Sequence, residues 1–251
     1  MPSVIIQARM GSTRLPGKIL KKLNGITALE CFLNQLSYSK SLDSIIIATT
    51  TKSQDDVIVN FAKDHKINYF RGSENDVLDR FYECSKKFSV KDIVRITSDC
   101  TLIDPTIIDE IVDYYLSNSF DYVSNSIDRS YPSGNDVEVF SFSSLENSWL
   151  NAKKSSEREH VTPYFHNNKN KFKISTMKYS ENISHLRWTV DRENDLKFVR
   201  KIVSRIKKRP ILMTDIIKLI SQEPTITSIN DTNIPNKEYL KSLENDKFLN
   251  K

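Results

Sequence analysis

With 251 residues, 38% of them hydrophobic, the chain is long enough to bury one substantial α/β core, and no apolar run reaches the roughly 20 residues needed to cross a bilayer. The N-terminus MPSVIIQARM lacks the basic start, apolar centre and small-residue cleavage site of a secretory signal, so a cytoplasmic location is expected. The 37 basic residues are spread among 32 acidic ones, which gives no nucleic-acid-binding block, and the three cysteines (Cys31, Cys84, Cys100) lack the number and spacing of a disulfide framework or zinc site.

Val4 to Ile6 is a short apolar run of the kind that forms a buried strand. Gly11, Pro16 and Gly17 break the chain next, and from about Thr27 a helical pattern sets Leu29, Phe32, Leu33 and Leu36 on one face. Ser44 to Ala48, Ile67 to Phe70 and Ile93 to Ile96 read as further buried strands, separated by helical stretches at Gln54 to Asp64 and Asn75 to Phe88. Such alternation is the pattern of βαβ units, whose right-handed crossovers build a parallel sheet covered on both faces. The expected class is therefore α/β, with a doubly wound, mostly parallel, Rossmann-like sheet.

After residue 118 the rhythm loosens. Tyr122 to Asn125, Val137 to Phe140 and Phe172 to Met177 read as strands of a mixed extension, and Ser156 to His166, Asn194 to Lys208 and Thr214 to Ser221 as helices. One domain over residues 1–222 is expected, with a doubly wound half (1–118) and a mixed half (119–222). Residues 223–251 form a polar tail of weak periodicity, expected to be loosely attached.

The segment Gln7 to Lys18, QARMGSTRLPGK, carries the strongest chemical signal, since two of the chain's five glycines fall in it. A polyphosphate needs backbone N–H groups that it can approach closely, which glycine permits, and cations for its oxygens. Arg9, Arg14 and Lys18 are such cations, Ser12 and Thr13 add hydroxyls, and the segment follows a strand, where open α/β sheets bind ligands. It is neither G-x-x-x-x-G-K-[ST] nor G-x-G-x-x-G, which disfavours a P-loop NTPase and a dinucleotide-binding dehydrogenase. Spacing alone also fits an ordinary Gly-Pro surface turn.

Val4 to Leu20, VIIQARMGSTRLPGKIL, resembles the opening of the SpsF-type cytidylyltransferase family and is more distantly similar to the CMP-sialic acid and CMP-Kdo synthetases. The resemblance continues in order through Phe70 to Ser73, Asp76 to Arg80, Arg95 to Cys100, Ser133 to Phe140, Arg158 to Pro163 and Thr189 to Asp191. It implies transfer of CMP from CTP to a sugar or sugar-like acceptor with release of pyrophosphate, in surface-glycan biosynthesis, by a homodimer. The alternatives are a nucleotidyltransferase acting on a phosphorylated acceptor and a non-catalytic nucleotide-binding protein of the same fold.

Attack of an oxygen nucleophile on an α-phosphorus needs neutralised charge and in-line positioning more than covalent help, so Mg2+ is expected. Asp99, just after a strand, fits as a metal ligand, although an Asp there is also an ordinary turn or cap residue. The resemblance adds Asp191 opposite it. The local alternative for Asp191 is the N-cap of the helix near Glu193, a task that Glu193 or Asp195 can take instead. Arg9, Lys18, Asp99 and Asp191 are thus the candidate catalytic residues. Ala8, Gly11, Ser12, Arg71, Ser73, Thr97 and Ser98 join Arg9, Lys18 and Asp99 as candidate nucleotide-binding residues. Asp136 and Glu138 alternate with valines, so on a strand both project to one face, which suits a hydroxylated acceptor or an exposed edge. Arg158 and His160 complete the candidate acceptor site.

Overall fold

The computed structural model describes residues 1–230 and 237–248. Strand β1 (Ser3–Gln7) leads through a loop and a short hairpin, β2 (Lys22–Leu23) and β3 (Ile26–Thr27), into helix α1 (Ala28–Leu36), which Thr27 caps by accepting the Glu30 N–H at 3.1 Å. Asn24-Gly25 makes the hairpin turn. Then come β4 (Ile45–Thr50), α2 (Asp56–Asp64), β5 (Asn68–Gly72), α3 (Val77–Lys87), β6 (Asp92–Thr97) and α4 (Pro105–Leu116). Local chemistry sets these starts. Asp76 Oδ1 accepts the Asp79 N–H at 2.9 Å before α3, and Asp104 accepts the Thr106 N–H at 2.8 Å before α4, whose first residue is a proline.

The second half adds β7 (Tyr122–Ser124), β8 (Glu138–Ser141), α5 (Phe142–Asn151), α6 (Ser155–His160), α7 (Pro163–Asn167), β9 (Ile174–Thr176), α8 (Glu193–Arg205), α9 (Met213–Gln222) and α10 (Lys237–Glu244). The seven-stranded sheet has the order β5-β4-β1-β6-β8-β7-β9. Its first four strands run parallel, β8 lies antiparallel between β6 and β7, and β9 pairs parallel with β7. The doubly wound half and the mixed extension are thus as the sequence pattern indicates. Strand β1 alternates between two cores: Val4 and Ile6 join the packing of α1, α2, α4 and α8, whereas Ile5 joins that of α3, α5 and α7. Burying an aliphatic side chain of this kind contributes about 1.5–3 kcal/mol, which is why an all-apolar run settles as a strand covered on both faces.

Three local expectations change. The stretch from Ser156 to His166 is two short helices, because Val161 sits at φ 72 and Pro163 starts a new turn. Helix α5, with the sequence FSSLENSWLN, was not expected; Ser141 caps it and Leu145 anchors it in the core. Within the C-terminal tail, residues 237–248 dock rather than trail: Asp246 accepts the Ser156 N–H at 2.9 Å, and the Lys247 carbonyl accepts that of Ser155 at 2.9 Å. Residues 223–230 are packed as well, with Ile226 buried in the core and Asn230 Nδ2 donating to the Arg187 carbonyl at 3.1 Å, while 231–236 and 249–251 lie outside the described residues.

Candidate active site

From β1 the chain goes to β4 and β5 on one side, then returns to β6 on the other, so the strand order reverses between β1 and β6. Open α/β sheets bind ligands outside the carboxyl ends of such a pair. Gln7 and Thr97, register partners at those ends, both line a crevice, together with Ala8, Arg9, Gly11, Ser12, Thr13, Arg14, Lys18, Ser98, Asp99 and Asp191. The loop is braced from below. Asp55, fully buried, accepts the Met10 N–H at 2.7 Å and the Thr50 hydroxyl, while the Met10 carbonyl accepts the N–H groups of Ser12 at 2.8 Å and Gly17 at 3.2 Å. These bonds fix the loop at both ends and present the Gly11 to Arg14 stretch to the crevice.

The charges converge at one point. Lys18 Nζ donates to Asp99 Oδ2 at 3.1 Å and to Asp191 Oδ1 at 2.9 Å, and Arg14 Nη2 lies 3.2 Å from the same Asp191 oxygen. Arg187 Nη2 holds the other Asp191 oxygen at 2.6 Å, and the Thr97 hydroxyl donates to Asp99 Oδ1 at 2.5 Å. Burial by itself would lower the pKa of Lys18, but the two carboxylates it touches hold it above the ordinary lysine value. Burial would likewise raise Asp191, and Lys18, Arg14 and Arg187 outweigh it, keeping that carboxyl well below the usual carboxylate range.

Backbone pairing brings the two carboxylates together across 92 residues of sequence. The Val190 N–H donates to the Asp99 carbonyl at 2.9 Å, and the Trp188 N–H to the Ser133 carbonyl at 2.8 Å. Gly134 allows this approach: its φ is 113, and a β-carbon there would lie 2.7 Å from Trp188 Cδ1. Asp191 does not cap α8. That task falls to Asp195, whose Oδ2 accepts the N–H groups of Asp191 at 3.0 Å and Arg192 at 2.9 Å, so the Asp191 carboxylate stays in the crevice. Two carboxylates from separate elements sharing one cation is a donor set that suits a magnesium ion, whose remaining ligands are phosphate oxygens and water.

Other expected residues stand elsewhere. Arg71 turns back on its own sheet edge, with Nε donating to the Thr50 carbonyl at 2.8 Å and Nη1 to Asp56 at 2.6 Å. The Ser73 hydroxyl accepts the Asp76 N–H at 3.0 Å, and Ser73 lines a neighbouring hollow with Arg158 rather than the crevice. Arg158 is 4% exposed and grips Asp76 through Nε, at 3.0 and 2.9 Å. Asp136 precedes β8 and pairs with Arg129, so it does not share a strand face with Glu138. Glu138 is sealed inside: it pairs with Arg95 and accepts the hydroxyls of Tyr122 and Thr162, both at 2.6 Å. Only His160 of the expected acceptor set lines the crevice, and its Nε2 sits 2.9 Å from Ser242 Oγ of α10. Burial, and then Arg95, push its pKa down to about 4.

Gln7, Val77, Arg80 and Glu159 also line the crevice without having been singled out for it. Arg80 falls within the DVLDR stretch, where a charged first helical turn has an ordinary explanation. Asp55 gave no signal at all; only its distance from Met10 in the folded chain reveals its part.

Comparison with known proteins identifies the family. Residues 3–249 match the cytidylyltransferase family. The chain is 43% identical to an uncharacterized protein of Methanocaldococcus jannaschii, over 94% of this chain and 96% of that one. It is 30% identical to the spore coat polysaccharide biosynthesis protein SpsF of Bacillus subtilis, over 88% and 94%. A solved cytidylyltransferase from Leptospira borgpetersenii serovar Hardjo-bovis superposes with a TM-score of 0.87 at 34% identity, covering 92% of this chain and 97% of that one. The chain belongs to the cytidylyltransferase family and is a nucleotidyltransferase.

Proposed function

We propose that the enzyme transfers a cytidylyl group from CTP to a hydroxyl of a sugar or sugar-like acceptor, releasing pyrophosphate, in the biosynthesis of a surface polysaccharide or related glycan. The observation that carries this reading is the meeting of Lys18, Asp99 and Asp191 beneath the Gly11 to Arg14 loop. In it the loop cations bind the triphosphate, and Arg14 and Lys18 offset the charge that develops as pyrophosphate departs. Asp99 and Asp191 would hold Mg2+, which when bound would neutralise phosphate charge and help to orient the α-phosphate. Lys18 Nζ, between these carboxylates, is the cation of the loop that serves the phosphates.

A neutral hydroxylated acceptor fits the region better than a phosphorylated one. Arg129, Arg158 and Arg187 are each tied to a carboxylate and, unlike Arg14 and Lys18, do not line the crevice, so they are poorly placed to receive a second anion there. The acceptor end then falls to His160 and Glu159 on α6. The homodimer is likewise proposed, through the mixed extension: β9 ends the sheet, leaving an edge that can pair with a second copy. A cytoplasmic setting is consistent with three buried thiols.

The test is pyrophosphate release with a panel of nucleoside triphosphates and candidate acceptors, alongside light scattering. CTP with a sugar-like acceptor should give turnover that disappears in EDTA and in Lys18→Ala. Turnover only with another triphosphate, or undiminished in EDTA, would contradict the donor or the metal.

A further inference from the structure

Arg80 is 2% exposed yet forms part of the crevice wall carried by α3. Its stem passes over Gly72, where a β-carbon would lie 3.0 Å from Arg80 Cγ and 2.8 Å from Phe70 Cε1, so the sheet edge is shaped to admit it. Only Nη1 is engaged, donating to the Ser73 carbonyl at 2.7 Å. Nε is buried without a hydrogen-bond partner, Nη2 makes no hydrogen bond, and no carboxylate pairs with the guanidinium among the described residues.

Three other arginines show what such a side-on fork ordinarily does. Arg71 spends Nε and Nη2 on the Thr50 and Lys52 carbonyls, both at 2.8 Å; Arg158 spends them on Asp76; Arg187 spends them on Asp195 at 3.3 Å and Asp191 at 2.6 Å. Arg80 has the same fork and nothing in it. A guanidinium buried with no carboxylate in contact is costly, and the repulsion from Arg9 is larger than the attraction of Asp55 or of Glu74. Burial first, and then Arg9, push the Arg80 pKa down to about 10, which still leaves it charged at neutral pH. The place that bears this cost is the binding crevice, not the core.

We propose that Arg80 is a nucleotide-binding residue whose Nε–H and Nη2–H fork takes two acceptor atoms of the bound nucleotide. A planar fork of two donors matches paired phosphate oxygens and equally the O2 and N3 acceptors of cytosine. The inference rests on the reading of CTP as donor substrate.

Calorimetric titration of CTP, UTP and pyrophosphate into the wild type and Arg80→Lys tests it, since lysine keeps the charge and loses the fork. The CTP dissociation constant should rise at least about tenfold, the size of losing one good charge-assisted hydrogen bond, with the melting temperature retained. An equal loss for pyrophosphate places the fork on the phosphates. Unchanged pyrophosphate affinity with a collapsed preference for CTP over UTP places it on the base. Binding of CTP and pyrophosphate within about twofold of wild type overturns the proposal. A wild type that does not bind CTP would instead sink the donor reading itself. Should the lysine variant not fold, the Arg80 Nε–H resonance of the wild type gives the answer by NMR: it should shift when CTP is added, and an unmoved resonance overturns the proposal.

Discussion

Asp191 and Glu138 are both carboxylates held by arginine, Asp191 sharing Lys18 with Asp99 just beyond the end of β6 and Glu138 on β8 opposite Arg95 of β6. Glu138 is buried, and its three partners, Arg95, Tyr122 and Thr162, occupy it from within the protein. Asp191 faces an open crevice, and the two cations on its Oδ1 come from the loop after β1, both of them crevice-lining groups. A carboxylate whose partners can turn away has somewhere to place a substrate or an ion; one whose partners are locked in the sheet has only a structural task. Glu138 shows this in its titration: burial would raise its pKa, but Arg95, Thr162 and Tyr122 hold it lowered, so it stays ionised inside the protein.

The contrast is sharpest under mutation. Asp99→Asn or Asp191→Asn should leave the fold intact and reduce turnover by about a hundredfold or more, the scale of losing one electrostatic group that acts in the transition state. Steady-state pyrophosphate release with circular dichroism on the same samples checks both halves. Turnover near wild type in either variant would place the chemistry elsewhere. Glu138→Ala should do the reverse: it leaves Arg95 buried without its acid, a loss of about 3–5 kcal/mol of stability, while the folded fraction still binds CTP. Urea unfolding measures that loss. A variant as stable as wild type but unable to bind CTP would show that Glu138 belongs to the site after all.

What could be read from the sequence follows the same division. The βαβ rhythm was legible because buried parallel strands are continuous apolar runs, and the Gly11 to Lys18 loop because polyphosphate binding needs glycine and cations in one short segment. Asp99 and Asp191 became a pair only through the resemblance; the backbone bond from Val190 to Asp99 that joins them spans 91 residues. Arg71, Arg158 and Asp136 do not line the crevice, and the sequence did not show it because a charged side chain looks free until its partner is known. Those partners, Asp56, Asp76 and Arg129, lie 15, 82 and 7 residues away. The strand-face argument for Asp136 and Glu138 failed by two residues, since β8 begins at Glu138. Helix α5 was missed because its serines and asparagines carry little apolar periodicity, and its cap at Ser141 looks like part of a strand end.

The smallest expected effect concerns His160, the one member of the expected acceptor set that reaches the crevice. Its folded pKa, about 4, lies below the ordinary histidine value near 6.5, because burial and Arg95 oppose its charged form. The unfolded chain therefore binds more protons at this position between about pH 4 and 6.5, and stability from this group is full above that window and falls as pH drops through it. His160→Gln keeps a polar partner near Ser242 Oγ but removes the titration. The wild type should thus lose melting temperature between pH 6.5 and 4 more steeply than the variant, while the two converge in slope above pH 7. Because α10 contributes Ser242 and Tyr239 to this histidine, with ring centroids 5.1 Å apart for the tyrosine, deleting residues 237–251 should also reduce the excess slope by letting water reach the imidazole. Thermal melts at half-unit steps of pH on the three proteins decide the matter, and parallel curves for wild type and His160→Gln would mean that the imidazole is hydrated and titrates normally in the folded enzyme.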